Sequence, residues 1–192
     1  MSANRRAPGL IRPYLNPVEL LDYVRFVADE VAAGGYLIEF DEAERWHQRI
    51  YRDRRVDVWL ISWLPSQGTQ LHDHGGSAGA FTVLRGELAE AIYRPGVAPG
   101  RHGVASGPDS APALLERRRM SGSGVGFGSH YVHDVRNLSQ DAAVSVHAYS
   151  PPLTSMGFYD VDDAGELRKL VSMQTDDPEP VLDLGRLGTP AA

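Results

Sequence analysis

Between Val56 and Tyr149 the chain is built from short β-rich segments, each broken by Gly, Pro, Ser or Asn before it can grow long. "VDVWLISWL" (56–64), "ALLERRRM" (113–120), "GVGFG" (124–128), "HDVRNL" (133–138) and "AAVSVHAYSP" (142–151) read as strands, and "GAFTVLRGELAEAIYR" (79–94) as two strands around a turn at Arg85-Gly86. Strands this short bury a face only by packing on one another, so this spacing predicts a mostly β sandwich or barrel. "PGVAPGRHGVASGPDSAP" (95–112) reads as a long polar loop, and His102 within it is given no role.

Ahead of the strands the pattern is helical. Asn16-Pro17 reads as an N-cap followed by Pro at the first helical position. The helix is expected to run to about Ala33, with Val18, Leu21, Val24, Val27, Ala28 and Val31 on one face, and to stop at Gly34-Gly35. Asp41 is read as the cap of a second short helix over Glu42–Ile50. The expected organisation is a flexible arm at 1–15, helices packed on the barrel at 16–50, the barrel at 51–171 and a C-terminal strap and tail at 172–192.

The chain has 192 residues and no cysteine, so any metal must be held by histidine and carboxylate. A net charge of −6 argues against nucleic acid or an anionic membrane as the main partner, since both demand clustered positive charge. The one basic run, Arg117–Arg119, is short enough to be a solvated face. No apolar stretch is long enough to span a bilayer and the first residues carry no apolar leader core, so a cytoplasmic protein is expected. Oligomeric state is not legible.

In "QLHDHGGSAGAF" the histidines His72 and His74 are one residue apart. On a strand they face the same side and can bind one ion, although two strand histidines can equally lie on a surface. His133 follows in "HDVRN", with Asn137 four residues on. Together these residues and Gly86 resemble the two motifs of the cupin superfamily. The fit has departures: the glycine before the first histidine is shifted, "GVGFGSHYVH" lacks the second motif's proline, and Gly79 stands where the first motif carries a glutamate ligand. Three neutral imidazoles leave a divalent ion with open positions, suited to an anionic chelating substrate and a small gas such as O₂. Such ligation accommodates Fe, Zn, Cu or Ni.

A second constellation is "VSVHAYSPPL", where Ser145, His147 and Tyr149 share one face at alternate positions. The plain reading is a Ser and a His facing solvent and a Tyr plugging the barrel end. With the metal motif beside it, the chain resembles the thiol dioxygenases, the cysteine dioxygenase family of cupins, over about residues 44–161. The resemblance implies a jelly-roll barrel with an N-terminal helical segment, and Fe(II) held by His72, His74 and His133. It implies a thiolate and O₂ meeting at the iron to give a sulfinate, and Ser145–His147–Tyr149 as a relay. Mammalian members carry a cysteine at the position of Gly79 that cross-links to the tyrosine. That cross-link cannot form here, as in bacterial members.

In the family a Tyr-x-Arg or Tyr-x-Gln segment contacts the substrate carboxylate. The local match is "RWHQRIYR" (45–52), with Trp46 at the tyrosine and Gln48 at the Arg/Gln position, or Arg49 after a one-residue shift. Gln48 is favoured, which points away from standard cysteine. Met156 follows "YSPPL" where the mercaptopropionate enzymes have arginine. Trp46, His47, Trp63 and Tyr131 are read as lining a wider aromatic pocket able to hold a cationic or bulky thiol. Ergothioneine, 3-mercaptopropionate and mercaptosuccinate are the candidates, cysteine the alternative. Trp59 and Trp63 share a strand face and can equally be core. Readings of other classes are a non-catalytic metal or small-molecule binding cupin, and another cupin enzyme such as an isomerase.

Overall fold

The computed structural model describes residues 13–94, 113–178 and 180. Most of the expected arm, the 95–112 loop with His102, and the tail from 181 lie outside the described residues. One helix, α1 (Pro17–Glu30), precedes eleven strands: β1 (His47–Arg52), β2 (Asp57–Trp63), β3 (His72–Asp73), β4 (Ala78–Arg85), β5 (Glu87–Tyr93), β6 (Leu114–Met120), β7 (Gly124–Phe127), β8 (His133–Arg136), β9 (Ala143–Ser150), β10 (Ser155–Val161) and β11 (Leu167–Gln174). They form two antiparallel sheets, ordered β1-β2-β9-β4-β7 and β11-β10-β3-β8-β5-β6. This is the mostly β jelly-roll the sequence predicts. Among the described residues no helix is long and apolar enough to cross a membrane.

α1 begins where its cap chemistry dictates. The Asn16 side chain accepts the N–H groups of Val18 (2.9 Å) and Glu19 (3.1 Å), and the Glu19 carboxylate accepts the Asn16 N–H at 2.8 Å. A wider turn over 31–35 ends it, with Gly34 at φ +92°. The buried face is Leu20, Val24, Val27, Ala28 and Val31, whereas Val18 is exposed. The apolar stripe is therefore rotated from the expected one, with Leu20 in place of Val18.

That face packs on Val58, Leu60, Ala80, Val144, Val146 and Ala148. The opposite face of the same sheet meets the other sheet through Trp59, Ile61, Phe81, Leu88, Val135, Tyr149, Met156 and Phe158. β2 and β9 are covered on both sides, which is why "VDVWLISWL" and "AVSVHAYS" read as nearly continuous apolar runs. Between β4 and β5 the chain passes from one sheet to the other through Gly86 (φ +78°), where an added Cβ would lie 2.7 Å from the Ala142 carbonyl oxygen.

The expected second helix does not form. Asp41 caps only a turn, accepting from the Ala43 N–H at 2.7 Å, and the chain then extends into β1, paired with β2. The period-two alternation of Arg45, His47 and Arg49 against Trp46, Gln48 and Ile50 satisfies an edge strand. The exposed edge of β2 supplies the backbone partners that a short isolated helix lacks. The Arg run is also not uniformly solvated. Arg118 pairs with Glu87 at the surface, while Arg119 turns in to a buried glutamate.

Candidate metal centre and its surroundings

The central strands of the six-stranded sheet bring the three histidines together. β3 pairs with β8 so that His72 lies opposite His133, and with β10 so that His72 lies opposite Phe158. Between the histidines, Asp73 points the other way and accepts from the Gly157 N–H (3.0 Å) and the Tyr159 hydroxyl, fastening β3 to β10. The two imidazoles thus share the inner face. Each of His72, His74 and His133 offers one ligand atom within 4.8 Å of the others, and all three are buried.

Ring orientation follows from the second nitrogens. His72 Nδ1–H donates to the Gln70 carbonyl at 2.7 Å, and His133 Nδ1–H donates to Glu90 Oε1 at 2.8 Å. Both therefore keep a lone pair on Nε2. The Nε2 atoms of all three are buried without a hydrogen-bond partner among the described residues, an arrangement that a bound cation resolves. Burial, then the neighbouring His133, depresses His72 to about 3, and burial followed by His72 and His133 holds His74 well below the ordinary imidazole range. The rings of His72 and His74 are therefore neutral at pH 7, as metal ligation requires. The donor set fits a divalent transition metal with positions left for substrate.

His74 is sandwiched by Phe127 (5.0 Å) and Tyr149 (4.9 Å). Gly79 pairs with both Phe127 and Tyr149 across its neighbours, and an added Cβ would come within 2.4 Å of the Phe127 ring and 3.1 Å of Tyr149. Glycine at the position without a carboxylate therefore makes room for the two rings that clamp His74.

On β9 the alternate residues form a chain of hydrogen bonds. Trp63 Nε1–H donates to Ser145 Oγ at 2.8 Å, Ser145 Oγ lies 2.9 Å from His147 Nε2, and Tyr149 Oη lies 3.4 Å from His147 Nδ1. All are buried, and burial holds His147 well below the imidazole range, so its ring is neutral. The plain expectation of a solvent-facing Ser and His is thereby replaced by an internal network.

Several pocket expectations are corrected. Trp46 packs on the helix side of the sheet, and Gln48 is exposed beside Leu37 and Glu39. The row of β1 that faces the barrel is Arg45, His47 and Arg49. Arg49 lies over Trp59 at 4.3 Å, but its guanidinium is held by Asp176 at 2.8 Å, and His47 sits edge-on to Trp59 at 5.7 Å. Trp63 is fully buried and bonded to Ser145, and Tyr131 stacks on Phe127 and donates to Glu90 at 3.0 Å. Trp63 and Tyr131 are thus both engaged in packing and hydrogen bonds. Met156 lies in the inner core. Asn137 is a brace, donating to the carbonyls of Trp63 (3.0 Å) and Asp141 (2.8 Å).

Two residues escaped the sequence reading. Arg45 is buried with its guanidinium 5.1 Å from the Trp63 ring, near enough that its charge disfavours protonation of His72 and His147. Its signal was the alternation of β1. Glu90 is fully buried, and its signal was its place on the same strand face as Leu88.

The comparisons point the same way. The family model for cysteine dioxygenase type I matches residues 27–162, from within α1 past the end of β10. "Cysteine dioxygenase type 1" of Danio rerio is 26% identical over 106 residues, covering 55% of this chain and 50% of that protein. The chain thus spans about half the length of that relative. Similar solved structures include TT1209 from Thermus thermophilus (19% identity, TM-score 0.47, covering 60% of this chain and 90% of that one). The Cnp3 cupin domain of Schizosaccharomyces pombe is another (5% identity, TM-score 0.45, covering 59% and 64%). With a family model spanning both motifs, the chain belongs to the cysteine dioxygenase type I family.

Proposed function

We propose that this chain is a non-heme Fe(II) thiol dioxygenase that adds both atoms of O₂ to the sulfur of a small thiol. The observation that carries the reading is the convergence of three unpartnered imidazole nitrogens, with no carboxylate among them, beside the Ser145–His147–Tyr149 network. The balance closes without a co-reactant: RS⁻ + O₂ gives RSO₂⁻, with sulfur supplying every electron that reduces oxygen. When bound, the iron supplies the redox centre and acidifies the thiol. His72, His74 and His133 would hold it, and a ligand set without a carboxylate would leave a thiolate to supply the anionic ligand.

The Tyr149 hydroxyl is the group that orients reactants. Ser145 O–H donating to His147 Nε2 leaves the proton on Nδ1, where it is offered to the Tyr149 oxygen, freeing the phenolic hydrogen for the site. Trp63 fixes Ser145 from behind.

Arg45 supports a substrate that carries a carboxylate. It is the buried guanidinium nearest this network, and Gln48, the residue that had pointed away from cysteine, faces outward. The engagement of Trp63, Tyr131 and Trp46 in packing and hydrogen bonds weighs against a cage for a trimethylammonium such as ergothioneine's. 3-Mercaptopropionate, mercaptosuccinate and cysteine fit this reading best.

The test is thiol-dependent O₂ uptake by Fe(II)-loaded protein with 3-mercaptopropionate, mercaptosuccinate, cysteine, ergothioneine and cysteamine. The first three should support turnover, and cysteamine, which lacks a carboxylate, should fall by about tenfold or more in kcat/KM. Cysteamine as the best substrate would remove the role given to Arg45. Iron-loaded protein silent toward every thiol would leave a metal-binding cupin without this activity.

A further inference from the structure

The histidines do not stand in equal surroundings. His72 leans on a backbone carbonyl, but His133 leans on a carboxylate. Glu90 is fully buried on β5, whose register sets it opposite Val135 of β8, two positions along from the His133–Ile92 pair and so on the same face. Its Oε1 accepts from His133 Nδ1–H (2.8 Å) and the Tyr131 hydroxyl (3.0 Å). Its Oε2 accepts from Arg119 Nε at 2.7 Å and Nη2 at 2.5 Å. Both oxygens thus accept hydrogen bonds, and among the described residues the full positive charge on the carboxylate comes from Arg119, which reaches in from β6.

We infer that Glu90 is a positioning residue that acts through His133 to set the affinity and the reduction potential of the bound metal. This rests on the reading of His72, His74 and His133 as the ligands. A carboxylate accepting the Nδ1–H makes an imidazole a stronger donor at Nε2 and fixes its plane. No carboxylate stands among the three candidate ligands, so Glu90 supplies negative charge one residue removed, without occupying a coordination position. Arg119 tempers that charge, and the Tyr131 hydroxyl tethers Oε1. The three form a setting device with two directions. Weakening the carboxylate lowers electron donation to the metal, and removing its cation raises it.

The experiment uses the full chain, metal-free or loaded, with Co(II) competition against a chelator for affinity and a redox titration of the iron form for the midpoint. Glu90→Gln keeps an acceptor for the Nδ1–H but loses the charge. It should weaken Co(II) binding by about ten- to a hundredfold and move the Fe(III)/Fe(II) midpoint upward. Arg119→Gln should move the midpoint downward, and Tyr131→Phe should do so by a smaller step. Opposite signs are not what loss of packing gives, since a merely structural role lowers the melting temperature of the metal-free variants and leaves the midpoint in place. Wild-type affinity and midpoint in folded Glu90→Gln overturn the inference. Should that variant not fold, unmoved midpoints in both Arg119→Gln and Tyr131→Phe overturn it. His133→Ala with undiminished Co(II) binding would instead sink the ligand assignment, a separate failure.

Discussion

Asp57 shows what a single buried carboxylate does to this barrel. It stands at the start of β2, fully buried, with one oxygen accepting the Leu153 N–H at 3.3 Å. Burial pushes its carboxyl from the ordinary 3.8 up to about 6, against the lowering influence of that N–H, the Trp59 side chain, Arg52 and Arg49. A folded value above the unfolded one means that the native state holds the proton more tightly. This contribution is therefore fully present below pH 4 and is lost as pH rises to about 6. Asp57→Asn should remove that loss, so its stability relative to wild type should climb between pH 4 and 6 and reach a gain of up to about 3 kcal/mol at pH 7. Urea unfolding at pH 4, 5, 6 and 7 checks it, and a stability difference that does not vary with pH contradicts it. At this scale the sequence was legible where chemistry is periodic. His72/His74 and Ser145/His147/Tyr149 each lie at strand spacing, and each set shares a face. Arg45 and Glu90 were not legible in the same way, because their importance comes from which residues the two sheets bring opposite them.

At the scale of elements, α1 is the piece whose removal from the sheet is easiest to measure. Its Leu20 is fully buried against strands already packed on their other face, so the space it leaves cannot collapse readily. Leu20→Ala should cost about 3 kcal/mol in denaturant unfolding with little change in metal affinity, because the helix covers the face opposite the histidines. A cost under about 1 kcal/mol would mean that the helix is a loose cover. The helix and the strands from β2 to β9 follow from local pattern and turn chemistry. β1 does not, since Asp41 offers a helix cap and only pairing with β2 decides for a strand. The C-terminal region needed tertiary information too. β11 is an edge strand with a mostly exposed face, and the residues after it matter through Asp176 and Asp177, which meet Arg49, Arg52 and His47 from β1. Those contacts join segments more than a hundred residues apart, beyond the reach of any window on the sequence.

The whole molecule divides its labour between the two sheets. The six-stranded sheet carries the histidines and the Glu90 network, while the five-stranded sheet carries the Ser145–His147–Tyr149 network, Trp63 and, at its β1 edge, Arg45 and Arg49. The proposed reaction centre is the space where the inner faces meet, and there Gly79 and Phe127 from one sheet shape the contact with His74 from the other. Both motifs fall within residues 27–162, matched by the family model, so the parts needed for the proposed chemistry are contributed by one continuous stretch of chain. The central claim is that this space joins one O₂ to one sulfur. The direct measurement is turnover of 3-mercaptopropionate, mercaptosuccinate and cysteine by the Fe(II)-loaded chain under ¹⁸O₂, with mass spectrometry of the product. The account predicts a sulfinate carrying both labelled atoms, formed in step with O₂ consumed. A product with one label or none, or a disulfide with O₂ released as peroxide, would contradict it.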